Sequence, residues 1–257
     1  MSAAYQFEPV GWIHSPYKEK FAIPRQPGLV TAADAHISLR NDCNREEILR
    51  GLEGFSHLWL VFVFHEAMRE HWKPMVRPPR LGGNQKVGVF ASRSPFRPNP
   101  IGLSVVTLDD IKQVNGQWQI HVGGADLLDQ TPILDIKPYI PYADAHPNAR
   151  GHYAAELPST VELVDFLPRA RAQLVQCEQA YPRLQELIKQ VLGQQPEPAY
   201  HSNSCSEAER EYGMALYDLN IRWVRQGDSL LVTDIRTSEK PTPPSAYQGR
   251  EPEGGSF

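Results

Sequence analysis

The stretch Arg93-Ser94-Pro95-Phe96-Arg97-Pro98-Asn99-Pro100-Ile101-Gly102 sets two guanidiniums, an aromatic ring and an amide among three prolines within ten residues. Proline fixes φ and removes a backbone donor, so this stretch is excluded from a helix interior or mid-sheet and must present its side chains from a stiff loop. Such a loop either holds a ligand or is a rigid surface turn with two solvated arginines. From Arg69 to Arg97 the chain carries seven cations (Arg69, Lys73, Arg77, Arg80, Lys86, Arg93 and Arg97) and one acid, Glu70, while the whole chain stands at −4. A local basic patch on a mildly acidic protein suits a polyanion gripped at one place, a nucleic acid or a phosphorylated metabolite. Pro74, Pro78, Pro79, Gly82 and Gly83 fall in the same span and predict a long loop between strands. The bland alternative is a solubilising loop whose charges touch nothing.

Four other groups of residues could carry chemistry. His65-Glu66 ends an apolar run and aims two polar groups at a cavity mouth, or merely caps a strand. Asp126-Leu127-Leu128-Asp129 follows Gly123-Gly124 and offers two carboxylates for ribose hydroxyls or an ammonium, or caps a turn. Asp135, Lys137 and Tyr139 alternate, so on a strand they share one face, with an intrastrand ion pair as the plain reading. Pro24-Arg25-Gln26-Pro27-Gly28 is a second stiff loop with an arginine and an amide. No G-x-G-x-x-G or G-x-x-x-x-G-K-[ST] occurs, so neither a dinucleotide fold nor a P-loop is supported. His57 and His65 lie about 26 Å apart at strand rise, which disfavours a shared metal.

The elements that must hold these groups are mostly strands. Runs over 7–13, 36–39, 57–65, 86–91, 103–111, 117–122 and 135–140 read as strands, and Asn115-Gly116 predicts a hairpin turn. One short helix is predicted before the third strand, capped by Asn44, with Ile48, Leu49 and Leu52 on its apolar face and Gly54 ending it. Many strands with almost no crossover helices make the chain mainly β and favour a barrel or sandwich. Pro141, Pro147, Asn148 and Gly151 mark a boundary, giving a first domain over 1–145 and a smaller α+β domain over 151–237. In the second, helical spacing over 160–192 is broken by Pro168 and Pro182, and 212–225 with 229–235 read as a hairpin around Gln226-Gly227-Asp228. Pro, Gly, Ser and charge dominate the last residues, so 238–257 are predicted to be a disordered tail. Three dispersed cysteines without C-x-x-C spacing, no basic-then-apolar start, and a longest apolar run of seven (Leu58 to Phe64) predict a reduced, cytoplasmic, non-membrane protein.

Taken together, Ser15-Pro16-Tyr17-Lys18-Glu19-Lys20-Phe21, the loop at Pro24, Gly54-Phe55-Ser56-His57-Leu58-Trp59, Arg77-Pro78-Pro79-Arg80-Leu81-Gly82-Gly83, Gly88-Val89-Phe90-Ala91-Ser92-Arg93-Ser94, Arg97-Pro98-Asn99-Pro100-Ile101-Gly102 and Asp135-Ile136-Lys137-Pro138-Tyr139 resemble the TsaA-like family. The resemblance covers residues 5–142; 151–235 match the bacterial C-terminal extension more loosely, through Pro198-Ala199-Tyr200, Asp218-Leu219-Asn220 and Arg222-Trp223. It implies a small single-sheet β-barrel that uses S-adenosylmethionine to methylate the N6 amine of N6-threonylcarbamoyladenosine beside the anticodon of tRNA. It also implies a homodimer with the cofactor near the subunit boundary. Cofactor contacts carried over are Pro24, Arg25, Gln26, His65, Glu66, Arg93, Leu103, Asp126, Leu127, Leu128 and Asp129.

Methyl transfer from a sulfonium to an amine is an in-line displacement that needs alignment and acceptors around the amine, and no metal. Asn99 is the candidate acceptor, with Lys137 and Tyr139 as further catalytic candidates; Arg77, Arg80, Arg93 and Arg97 would position phosphates or the threonyl carboxylate. Phe96 or Tyr139 would stack on a base splayed from the anticodon loop. Two alternatives stay open: a methyltransferase of the same fold acting on a small molecule, and a non-catalytic regulator that binds adenosylmethionine or RNA.

Overall fold

The computed structural model describes residues 5–68, 71–82, 85–161, 163–196 and 210–238. Arg69, Glu70, Gly83, Cys205, the segment Pro198-Ala199-Tyr200 and the tail from Glu239 onward lie outside the described residues. The first 140 residues give strands β1 (Gly11–His14), β2 (Asp34–Leu39), β3 (His57–Val63), β4 (Met75–Val76), β5 (Val87–Gly88), β6 (Ile101–Val114), β7 (Gln117–Gly123) and β8 (Thr131–Pro138). Six of them form one antiparallel sheet in the order β1-β2-β7-β6-β3-β8, and it closes on itself because β8 bonds to both β3 and β1. Strand alternation sends Ile13, Ile37, Leu58, Leu60, Val106, Ile120 and Ile133 to the interior, where they are almost fully buried. Gly102 is required there, since a Cβ on it would meet the Phe62 ring at 2.2 Å. Asn115 and Gly116 turn β6 into β7 with φ of 51° and 81°, the left-handed pair the hairpin demands. On the barrel exterior, His14, His36 and His121 are neighbours across β1, β2 and β7. Their rings stack with centroids 4.6 and 5.3 Å apart.

Two predicted elements of the first half differ. The helix at Asn44 is two single 3-10 turns, Glu46–Ile48 and Leu52–Gly54, parted by Gly51 at φ 88°. Asn44 does not cap a helix: its amide donates to the Gly116 carbonyl at 2.9 Å and its oxygen accepts from Trp118 N at 2.7 Å, bracing the hairpin. Its long-range partners were invisible in local sequence. The strand predicted over 86–91 shrinks to β5, and Val89–Ala91 form a 3-10 turn stabilised by a bond from Val89 N to the Pro74 carbonyl.

After α1 (Pro141–Asp144) come β9 (Val164–Phe166), α2 (Pro168–Cys177), α3 (Leu184–Gly193), β10 (Glu211–Leu216), β11 (Leu219–Gln226) and β12 (Ser229–Thr237). The sheet runs β10-β11-β12-β9, with β9 parallel to β12. Pro168 starts α2, at the position where its missing N–H is harmless, and the residues before it are strand. The single strand predicted over 212–225 is two, folded back at Tyr217 in the left-handed region.

The two halves share a core. Tyr17, Ala22, Val30, Ala32 and Ala33, all from the β1–β2 connection, pack with Leu184, Ile188, Met214, Leu216 and Ile235. Tyr17 bridges Leu216, Tyr217 N donates to the Pro16 carbonyl at 2.7 Å, and Glu19 accepts from Ala215 N at 2.7 Å.

Candidate functional site

An open cleft of about 1440 Å³ lies between the proline-rich loops and the segment that leaves the barrel. Eight cations line it (Arg25, Lys73, Arg77, Arg80, Lys86, Arg93, Arg97 and Arg150) and, among the described lining residues, no carboxylate. Aromatic rings are interspersed: Trp72 is half exposed and Phe90 is 78% exposed, with the Arg97 guanidinium 6.0 Å from the Phe90 centroid. A positive wall with exposed rings suits a single-stranded nucleic acid, whose phosphates need cations and whose bases need flat faces.

The wall is stiff because its polar atoms are used. Ser92 Oγ donates to the Val89 carbonyl at 2.9 Å and accepts from Ser94 N at 3.3 Å; Ser94 Oγ accepts from Phe96 N at 3.3 Å. Arg97 donates to the Ser92 carbonyl at 3.2 Å, and the Asn99 carbonyl accepts from Ile101 N at 2.7 Å as β6 begins. Asn99 is exposed between Pro98 and Pro100, which line the cleft, while Asn99 is not itself a lining residue.

Several sequence-predicted residues meet here. Arg25, Gln26, Arg77, Arg80, Arg93, Phe96 and Arg97 line the one cleft, and Arg93 donates to the Gln26 side chain, tying the two proline loops together. Pro24 lines a smaller hollow next to Arg25. Asp126 accepts from Ser104 Oγ at 2.5 Å. Burial pushes its carboxyl up to about 6, against the opposing pull of the Ser104 hydroxyl and the Arg93 charge. Gln26 and Arg93 line the cleft, whereas Asp126 and Ser104 are not among its lining residues and Ser104 is 2% exposed. The Tyr17 hydroxyl is buried with no hydrogen-bond partner among the described residues, and burial plus the Asp126 charge raise its pKa.

The rest of the Asp126–Asp129 run is tied into the barrel. Leu127 packs in the barrel core and its carbonyl accepts from Ser15 Oγ at 2.8 Å. The Leu128 carbonyl accepts from Thr131 Oγ1 at 2.7 Å, and Asp129 holds Lys18 Nζ at 2.6 Å and Ser15 N at 3.0 Å. His65 and Glu66 form a 3-10 turn after β3, where Glu66 sits 3.8 Å from Lys20. Leu103 stands 53% exposed on the outer face of β6. Lys137 and Tyr139 do not line this cleft: Lys137 pairs with Asp135 at 2.7 Å, and the Tyr139 ring packs beside His57 and Trp59 at centroid distances of 6.1 and 5.9 Å. Sequence reasoning missed Phe90, Arg150, His152 and Tyr153 as lining residues; the glycine and prolines around 147–151 had signalled only a boundary. Among the described residues no cluster of three His, Cys, Asp or Glu is arranged to hold a metal, and no helix is long and apolar enough to cross a membrane.

Two family profiles match: the tRNA-methyltransferase O N-terminal domain over residues 12–145 and the TrmO C-terminal domain over 158–238. A tRNA (adenine(37)-N6)-methyltransferase of Escherichia coli (strain K12) is 48% identical over 221 residues, 86% of this chain and 93% of its own. A Pseudomonas aeruginosa protein whose name places it among S-adenosylmethionine-dependent methyltransferases, RcsF, is 44% identical over 90% of this chain and 97% of its own. A crystal structure of TrmO from Pseudomonas aeruginosa superposes with a TM-score of 0.75 at 38% identity, covering 91% of this chain and 99% of that one.

Proposed function

Because this chain belongs to the TrmO family of tRNA methyltransferases, we propose that it is a cytoplasmic enzyme that methylates the N6 amine of adenine 37 in tRNA, with S-adenosylmethionine as methyl donor and N6-threonylcarbamoyladenosine as its target nucleoside. The observation that carries this reading is the cleft, lined by cations and aromatic rings and, among its described lining residues, by no carboxylate; Arg93 on its wall is linked electrostatically to the Asp126–Ser104 group. That group fits the donor: Asp126 and Ser104 offer partners for ribose hydroxyls or an ammonium, and Arg93 and Gln26 offer donors to a carboxylate. When bound, S-adenosylmethionine would supply a methyl group on a positively charged sulfur; the C–S bond would break as the N–C bond forms, and the charge passed to N6 would be discharged by loss of the N6 proton to water.

The protein's own part is alignment and acceptance. The N6 nitrogen of this nucleoside is a poor nucleophile because its lone pair is conjugated with both the adenine ring and the carbamoyl carbonyl. The Asn99 side-chain carbonyl, carried between two prolines, accepts from the amine and favours the geometry that frees that pair. Arg77 takes a phosphate or the threonyl carboxylate, while Arg93 and Arg97 keep the proline loops in register as they add charge. Phe96 stacks on the splayed target base.

The working form is a homodimer. On the outer face of the barrel Trp59 pairs with Val105, Val61 with Leu103 and Val63 with Ile101. This apolar strip, on which Ile101 and Leu103 stand largely exposed, is what a second copy would cover. Lys137 and Tyr139 flank the same strip, so dimerisation is the route by which they reach a partner's cleft.

The test is methyl transfer by the purified protein to tRNA with and without the threonylcarbamoyl group, read by mass spectrometry of the nucleosides. A single added methyl on threonylcarbamoyladenosine is the expected product. Methylation of plain adenosine alone would replace the nucleoside assigned here, and no transfer to either tRNA would overturn the reading.

A further inference from the structure

The segment joining the barrel to the C-terminal module does more than connect them. It crosses the cleft and is fastened to the opposite wall at two points: Tyr153 Oη donates to the Ala91 carbonyl at 2.9 Å, and the Arg80 guanidinium donates to the Glu156 carbonyl. Around the first pin, His152–Ala154 make a 3-10 turn that packs on the turn Pro79–Leu81. That turn is tight. A Cβ on Gly151 would come within 2.6 Å of Ala155 Cα, and His152, a non-glycine residue, stands in the left-handed region at φ 47°. A chain that only has to span two modules has no need of a strained residue, and strain of this kind persists only where the surroundings enforce it. Its effect is to set Arg150, His152 and Tyr153 into the same cleft as Phe90 and Arg97, with the His152 and Tyr153 rings edge to face at 5.6 Å. Arg150 and His152 are exposed, so both are presented to whatever enters.

We propose that this linker is the second wall of the RNA site: Arg150 contacts the sugar-phosphate backbone and the His152–Tyr153 pair receives the base of a nucleotide flanking the target adenine, across the cleft from Phe90. The inference rests on tRNA being the substrate. A single-stranded anticodon loop has the matching chemistry, since its bases are free to splay onto aromatic rings while its phosphates follow a cationic track.

The experiment compares wild type with Arg150→Ala/His152→Ala and with His152→Gly, using an anticodon stem-loop RNA that carries threonylcarbamoyladenosine. The double variant should bind this RNA about 10-fold more weakly, with a shallower dependence of affinity on salt because one phosphate contact is gone. KM for tRNA should rise while kcat and the dissociation constant for S-adenosylmethionine stay unchanged. His152→Gly removes the ring and relieves the left-handed strain, so the protein should melt no lower than wild type yet bind the RNA several-fold more weakly. If wild type methylates tRNA and both variants bind with wild-type affinity and salt slope, the linker is only a connector and the inference is overturned. If wild type neither binds nor methylates tRNA, the proposed function falls and takes this inference with it.

Discussion

Asp126 and Asp129 show how far two identical side chains three residues apart can diverge. Asp129 is a brace, held by Lys18 and by the Ser15 amide. Asp126 has the Ser104 hydroxyl and a backbone amide beside it and the Arg93 charge acting on it, but burial dominates and pushes its carboxyl up to about 6. A carboxyl whose folded-state pKa lies above its unfolded value stabilises the fold at low pH and loses that contribution as pH rises from about 4 through about 6. Asp126→Asn should therefore flatten the melting temperature across that interval, measured by calorimetry in steps of pH. If the carboxylate accepts from the donor, affinity for S-adenosylmethionine should strengthen in wild type as pH rises through 6 and lose that dependence in the variant, by titration calorimetry. Asn99→Ala should lower kcat about 100-fold, the cost of one preorganised polar group at a reacting centre, with little change in cofactor affinity. Equal turnover in the two proteins would discard that role. The sequence made these residues candidates through their types and nearby glycines or prolines. It could not separate Asp126 from Asp129, because the partners that decide between them lie more than 100 residues away or arise from burial.

Strands brought together what spacing kept apart. His14, His36 and His121 have no relation in the sequence, yet antiparallel register makes them adjacent rungs on β1, β2 and β7. Burial, with the neighbouring imidazoles His14 and His121 and with Lys112 adding to it, lowers the central His36 to about 4 despite the opposing charge of Asp129. An imidazole depressed in this way favours folding above about 6.5 and withdraws its contribution as pH falls toward 4. His36→Phe, which keeps a ring in the stack, should reduce the loss of melting temperature between pH 7 and pH 5; an unchanged loss would assign it to other groups. Elements set by local signals were readable, among them the Asn115-Gly116 hairpin and the strand in the apolar run Leu58 to Phe64. Those set by tertiary bonds were not: the 3-10 turns around Gly51 and the fold-back at Tyr217 have no periodic signature.

A boundary between residues 145 and 151 describes the course of the chain but not its packing, for the β1–β2 connection belongs to the core of the C-terminal module. Composition announces where one pattern stops; it does not say that Tyr17, Ala22 and Val30 will be covered by helices and strands made later. A fragment of residues 1–145 should accordingly aggregate or unfold without cooperativity, and calorimetry of the fragment beside the full chain would decide it. A sharp, reversible transition in the fragment would mean that the connection finds its own cover. The same connection carries Arg25 and Gln26 to the cleft, so the grip of β10 on Tyr17 and Glu19 also steadies the arm that meets Arg93. Ribosomes deliver the barrel first, and β10 begins about 70 residues after β8 ends. At ~5–20 residues per second, the nascent barrel spends roughly 4 to 15 s with that apolar connection undressed, an interval in which a holdase chaperone would find its mark.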